Sequence, residues 1–116
     1  MSTIKTETLS TPSNATVPVD TVVNGTAKAW VNFDGTGTVA IRRAFNVSSI
    51  TDIGTGAYTV NFTTAMPDTN YSVVSGDWYF GVGWDDVYTT TSVNTRRTNL
   101  GGSYIDVGIV NVVIFS

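Results

Sequence analysis

The sequence contains neither cysteine nor histidine. Those two absences remove disulfides, thiolate nucleophiles, Cys/His zinc sites and the usual general base near neutral pH. Charge is scarce as well: Asp, Glu, Lys and Arg make up 13% of the chain, against about 25% in typical globular proteins. Ser, Thr, Asn and Gly fill the gap, giving a neutral, hydrated surface that suits extended backbone better than helix. No apolar run approaches the roughly 20 residues of a membrane-spanning helix; the longest, Val112 to Phe115 just after Ile109-Val110, is strand-sized. The start, Met1-Ser2-Thr3-Ile4-Lys5, lacks the apolar core of a signal peptide. Synthesis in the cytosol, or direct entry into an assembly without secretion, is therefore expected. A durable small domain without disulfides is expected to gain stability from oligomerisation.

What remains is a single-domain length of 116 residues with a net charge of −3. The basic pairs Arg42-Arg43 and Arg96-Arg97 are local and do not make the basic stripe of a phosphate-binding surface. No nucleic acid, membrane or cofactor is expected.

Strand signals recur between turns, and no segment shows a helical period. Ala27 to Phe33 alternates, with Ala27, Ala29, Val31 and Phe33 on one face, and ends at Asp34-Gly35-Thr36-Gly37, a hairpin signal. A second strand starts at Val39-Ala40-Ile41 and is read as continuing past the arginines into Phe45, Val47 and Ile50. Ala57 to Phe62 follows the turn at 52–56, with Tyr58, Val60 and Phe62 sharing a face; Tyr71 to Val74 and the Thr-rich Tyr88 to Val93 are further strands. The last, Ile109 to Phe115, is apolar without alternation, which marks a central strand or one buried on both faces. Short strands at this spacing predict an all-β fold, a single antiparallel β-sandwich or jelly-roll-like domain, over residues 24–116. Residues 1–23, with Pro12, Pro18 and only scattered apolar side chains, bury too little to order alone and are read as an extended anchoring arm.

Val17 to Arg42, Phe45 to Asp52, Gly54-Thr55-Gly56, Tyr58 to Met66 and Ile105 to Phe115 resemble stretches of tail-fibre and other virion-surface proteins of marine tailed phages, notably cyanophages. The resemblance covers about residues 17–75 and 104–115 and does not extend to 76–103. It implies a β-rich domain displayed on a virion, expected to be trimeric and often at the end of a long fibre. This chain departs from that pattern: it opens with Met1 and a short arm instead of a repetitive shaft. Capsid decoration is therefore an expectation beside tail attachment.

Between 77 and 88 the aromatics and acids crowd together. Asp77, Trp78, Tyr79, Trp84, Asp85, Asp86 and Tyr88 are the candidate contact residues for a receptor or partner. Aromatic rings stack on the apolar faces of sugars while carboxylates accept hydroxyl hydrogen bonds, and rings with a polar handle favour protein interfaces. The plainer alternative is that alternate members, such as Trp78 and Phe80, fill the core. Asp77, Asp85 and Asp86 carry the oxygen ligands of a hard cation but no EF-hand spacing, and a glycosidase pair among nine carboxylates is a chance-level signal. No metal and no catalytic residue is assigned.

Arg42, Arg43, Arg96 and Arg97 are candidate inter-subunit residues. Neighbours on a strand point to opposite faces, so one of each pair is free to turn inward and meet a carboxylate across a subunit boundary; solvated surface is the bland reading. The Asn-x-Ser/Thr triplets at Asn14, Asn24, Asn46, Asn61 and Asn70 follow from composition, and the glycines near 35–37 and 81–83 are turn formers, with no P-loop lysine. The functional expectation is a non-enzymatic structural protein on the surface of a tailed-phage virion, held by its arm to other capsid or tail proteins. The alternative is a fibre-tip module recognising a host surface glycan.

Overall fold

A computed structural model describes residues 3–76 and 87–116. They form an all-β protein of antiparallel sheets packed together, with one short helix. The elements are β1 (Thr8–Ser10), β2 (Thr16–Pro18), α1 (Val19–Gly25), β3 (Ala29–Asp34), β4 (Ala40–Phe45), β5 (Val47–Gly54), β6 (Ala57–Phe62), β7 (Ser72–Gly76), β8 (Ser92–Arg96) and β9 (Val110–Phe115). A four-stranded sheet in the order β4-β3-β9-β7 faces a three-stranded sheet in the order β5-β6-β8.

Alternation in the sequence decides which face is buried. Ala29, Val31 and Phe33 of β3 and Val110, Val112 and Ile114 of β9 point inward and are at most 2% exposed. They meet Tyr58, Val60 and Phe62 of β6 and Val93 of β8. The Phe33 and Tyr58 rings pack edge-on at 5.2 Å; Phe62 and Tyr71 do the same at 5.8 Å. Such contacts add to the burial that drives folding.

β4 and β5 are not one strand, as the apolar pattern had implied. Asn46 alone separates them and stands at φ 55°, in the left-handed region that Asn tolerates better than most residues. Its side chain fixes the corner. Nδ2 donates to Lys28 O (3.0 Å) and Thr64 O (3.1 Å), while Oδ1 accepts from Thr64 N (2.7 Å). The chain thereby crosses from one sheet to the other in a single residue.

Other boundaries also differ from the sequence reading. Residues 88–91 are a turn, because Thr89 Oγ1 accepts from the amides of Thr91 and Ser92; such local bonds compete with a ladder. β8 therefore starts at Ser92. Tyr104 makes an isolated bridge with Thr98.

The first residues are more ordered locally than an extended arm. Thr11 N donates to Ala15 O and Asn14 takes φ 65°, closing the β1–β2 hairpin. Pro18 then starts α1, a helix that no period in the sequence announced. It has no buried residue. Lys28 Nζ donates to Val23 O and Thr26 Oγ1 to Val22 O, so the helix end is tied to the approach to β3. The molecule measures 51 × 29 × 25 Å with a radius of gyration of 16.9 Å, against about 13 Å for a compact chain of this length. The hairpin extends beyond the sandwich, and α1 lies at its end beside Phe45.

Candidate functional site: the outer face of the four-stranded sheet

The two outer faces of the sandwich differ in chemistry. On the three-stranded sheet, the outward residues form polar rows: Thr51, Thr59 and Asn94 in one, Ser49, Asn61 and Ser92 in the next. They bond to each other, Thr59 Oγ1 to Asn94 Oδ1 at 2.8 Å and Asn61 Nδ2 to Ser49 Oγ and Thr51 Oγ1 at 3.1 and 3.0 Å. This face satisfies itself and meets water at no cost.

The four-stranded sheet presents something else. Its registers place Phe45 opposite Trp30, Trp30 opposite Val113 and Val113 opposite Val74. All four side chains point outward, in one row that crosses every strand of the sheet. Phe45 is 54% exposed and Val74 53%, with Trp30 and Val113 partly exposed between them. Phe115 lies on the same face of β9. Outward positions of a sandwich strand are ordinarily polar, and a contiguous apolar patch rimmed by polar groups marks an interaction surface.

The rim is present. In the next row Asn32 Nδ2 donates to Asn111 Oδ1 (2.7 Å) and Asn111 Nδ2 to Gly76 O (2.9 Å). A β-bulge between Asn32 and Phe33 interrupts the β3–β4 register, which cancels strict alternation at Arg42-Arg43. Both arginines are exposed; neither turns inward. Arg42 donates to Asn32 Oδ1 (3.3 Å) and pairs with Asp34 (3.6 Å). Hydrogen bonds from the Thr36 hydroxyl and amide hold the Asp34 carboxyl below its ordinary pKa, with a smaller contribution from Arg42. Arg43 sits opposite Asn32 with no ion pair among the described residues.

The second basic pair does alternate. Arg97 is 1% exposed, and its guanidinium donates to Ser75 Oγ (2.5 Å) and Arg96 O (2.8 Å). Since Ser75 belongs to β7 and Arg97 follows β8, this contact joins the two sheets within one chain. Arg96 faces outward and lies over the Tyr104 ring at 5.7 Å.

Of the aromatic and acidic candidates, Asp77, Trp78, Tyr79, Trp84, Asp85 and Asp86 lie outside the described residues. Tyr88 is described, and it packs: its ring stacks on Tyr71 at 5.1 Å and 11°. Among the described residues no cluster of acidic side chains is arranged to hold a metal.

Beside the apolar row, where α1 meets the sandwich, lies a cleft of about 930 Å³ lined by Val22, Val23, Phe45, Ala65, Met66 and Pro67 among others. Phe45 belongs to both, so the row and the cleft form one continuous apolar surface. The sequence carried a signal for it. Ile109 to Phe115 lacks alternation because Val113 and Phe115 are apolar on the outward side, and the central position of β9 was legible from that. Of the two alternatives the sequence offered, β9 is the central strand, with its outward face partly exposed in a single chain.

Fold and surface together define an all-β sandwich with one self-satisfied face and one apolar face. No family model, no curated protein and no solved structure matches the chain.

Proposed function

We propose that this chain is a non-enzymatic structural module that assembles through the outer face of its four-stranded sheet, on the surface of a tailed-phage virion. The observation that carries the assembly role is the Phe45–Trp30–Val113–Val74 row set against the polar rows of the opposite sheet. Covering a half-exposed Phe or Val contributes about 1 kcal/mol each, and the row spans the whole sheet. The virion context rests on the resemblance over residues 17–75 and 104–115. The partners in that setting are capsid or tail proteins and further copies of the chain.

Edge-to-edge pairing through β4 or β5 is the weaker route to assembly. β4, at one edge, carries Arg42 and Arg43 beside a bulge, and β5 is interrupted by register shifts near both ends. Charges and bulges of this kind discourage strand addition. The glycan-binding alternative depends on side chains of residues 77–86, so it gains nothing from the described surface.

The test is incorporation. Phe45→Asp and Val74→Asp place a charge on the apolar row at positions already more than half exposed, leaving the core intact. The folded variants are expected to be missing from purified particles that contain the wild-type protein. Normal incorporation of both would overturn the proposal.

A further inference from the structure

The apolar row needs an occupant, and the sheet alone is too small to hold one firmly. Four strands about 4.8 Å apart, three of six residues and one of five, at about 3.3 Å per residue make a face of roughly 400 Å². A stable protein interface buries about 800 Å² per partner. Face-to-face packing of two sheets therefore covers about half of what is required, and the remainder must come from another part of the molecule.

The arm has that surface to give. Between residues 3 and 25 nothing is buried, although the segment is organised. Leu9 and Val17 are cross-strand partners in the β1–β2 hairpin, so they share one face of it; Leu9 is 48% exposed. Val19, Val22 and Val23 fall on one side of α1 by helical spacing. A three-residue hairpin and a helix of two turns are each unstable in isolation. The cleft walled by Val22, Val23 and Phe45 leaves the Leu9–Val17 side of the hairpin uncovered, so the hairpin's order calls for a further surface.

Charge sorts in the same sense. The described arm carries Lys5, Glu7 and Asp20, a net of 1 − 2 = −1. The apolar row is flanked by Arg43, whose guanidinium has no ion pair among the described residues. Glu7 and Asp20 are likewise without one there.

We infer that the arm of one copy lies across the outer sheet face of a second copy, setting the Leu9–Val17 side of its hairpin on the Phe45–Trp30–Val113–Val74 row, with the arm's acids toward Arg43. The contact is heterologous: arm on one side, sheet on the other. Such contacts build a ring where the rotation closes and a filament where it does not. This inference rests on the assembly role proposed above and names the partner of the same surface.

A mixing experiment with full-length chains separates arm from face. Leu9→Asp spoils the arm and keeps the face; Val74→Asp spoils the face and keeps the arm. Circular dichroism and thermal melting verify folding, and Phe45→Asp replaces Val74→Asp if the latter fails. In sedimentation velocity and native mass spectrometry the wild type is expected to associate. Each variant alone is expected to associate at least tenfold more weakly. An equimolar mixture should form the mixed dimer, because one intact arm then meets one intact face. Arg43→Glu should weaken association, and Glu7→Arg with Asp20→Arg should restore it. Association of Leu9→Asp at the wild-type level, or a mixture that stays monomeric, overturns arm exchange. So does a wild type that is monomeric throughout. If Val74→Asp nevertheless fails to enter particles in that case, the proposed assembly role survives with a different partner on the face.

Discussion

The hydroxyl of Tyr58 lies 2.8 Å from Oδ1 of Asp106 and 2.9 Å from the carbonyl oxygen of Gly35. One buried phenol thus ties the middle of the three-stranded sheet to the turn after β3 and the loop before β9. Asp106 Oδ1 also accepts from Gly56 N at 2.8 Å. This network closes the end of the sandwich opposite the arm.

Removing that hydroxyl takes away the one proton that Gly35 O and Asp106 Oδ1 share, while Asp106 keeps the Gly56 amide. Tyr58→Phe is expected to lower stability by about 1–3 kcal/mol, measured by urea unfolding. Gly35→Ala sets a methyl 2.4 Å from the Tyr58 hydroxyl oxygen and is expected to cost at least as much. In the double variant the clash with the hydroxyl is gone, so its loss should be smaller than the sum of the two single losses.

Alkaline pH acts on Tyr58 and on a second buried tyrosine, Tyr71. Burial raises the pKa of Tyr71 to about 12, with the neighbouring Tyr88 adding to the shift. Burial raises Tyr58 too, followed by its hydrogen bond to Asp106 and the charges of Asp106 and Asp52. An unfolded tyrosine titrates near 10, so above that pH the unfolded chain binds fewer protons than the folded one. Stability is therefore fully present below pH 10 and lost as pH climbs from about 10 to 12 and beyond. Thermal melts across pH 8–12 should show the decline beginning near 10, with the same onset but a shallower slope in Tyr71→Phe.

Asn46 combines a left-handed backbone with three side-chain hydrogen bonds. Two substitutions divide these contributions. Asn46→Gly keeps the φ and loses the bonds, at an expected cost of about 1–3 kcal/mol. Asn46→Ala loses both and should be worse by about a further 1 kcal/mol. Equal stability of the two variants in chemical denaturation would show that φ plays no part.

Thr95 points into the core at 4% exposure, and its Oγ1 has no partner among the described residues. Replacing the hydroxyl by a methyl of the same shape removes the cost of its desolvation. Thr95→Val is expected to raise the melting temperature by several degrees, for a gain of about 1 kcal/mol.

Much of the fold was legible because alternation reports burial. The β3 and β6 patterns assign Val31, Phe33, Tyr58, Val60 and Phe62 to the core. Corners and caps were harder to see. Nothing in a period distinguishes Asn46, where the chain changes sheet through side-chain bonds to residues 18 positions away on either side. α1 is too short for a period to register, and it is held by Thr26 and Lys28 rather than by its own propensity. The apolar outer row is hidden for a different reason. It assembles Phe45, Trp30, Val113 and Val74 from four strands, so only the registers bring it together. The arginine pairs illustrate both cases: 96–97 follows strand alternation, and 42–43 escapes it through a bulge.

Side-chain footprinting compares the two outer faces directly. Chains labelled with a photoactivated carbene, once at high dilution and once in the assembled state, report protection residue by residue. The account predicts strong protection of Phe45, Trp30 and Val74 on assembly, with Thr59, Asn61 and Asn94 labelled equally in both states. Unchanged labelling of the apolar row, or protection confined to the polar face, would contradict it.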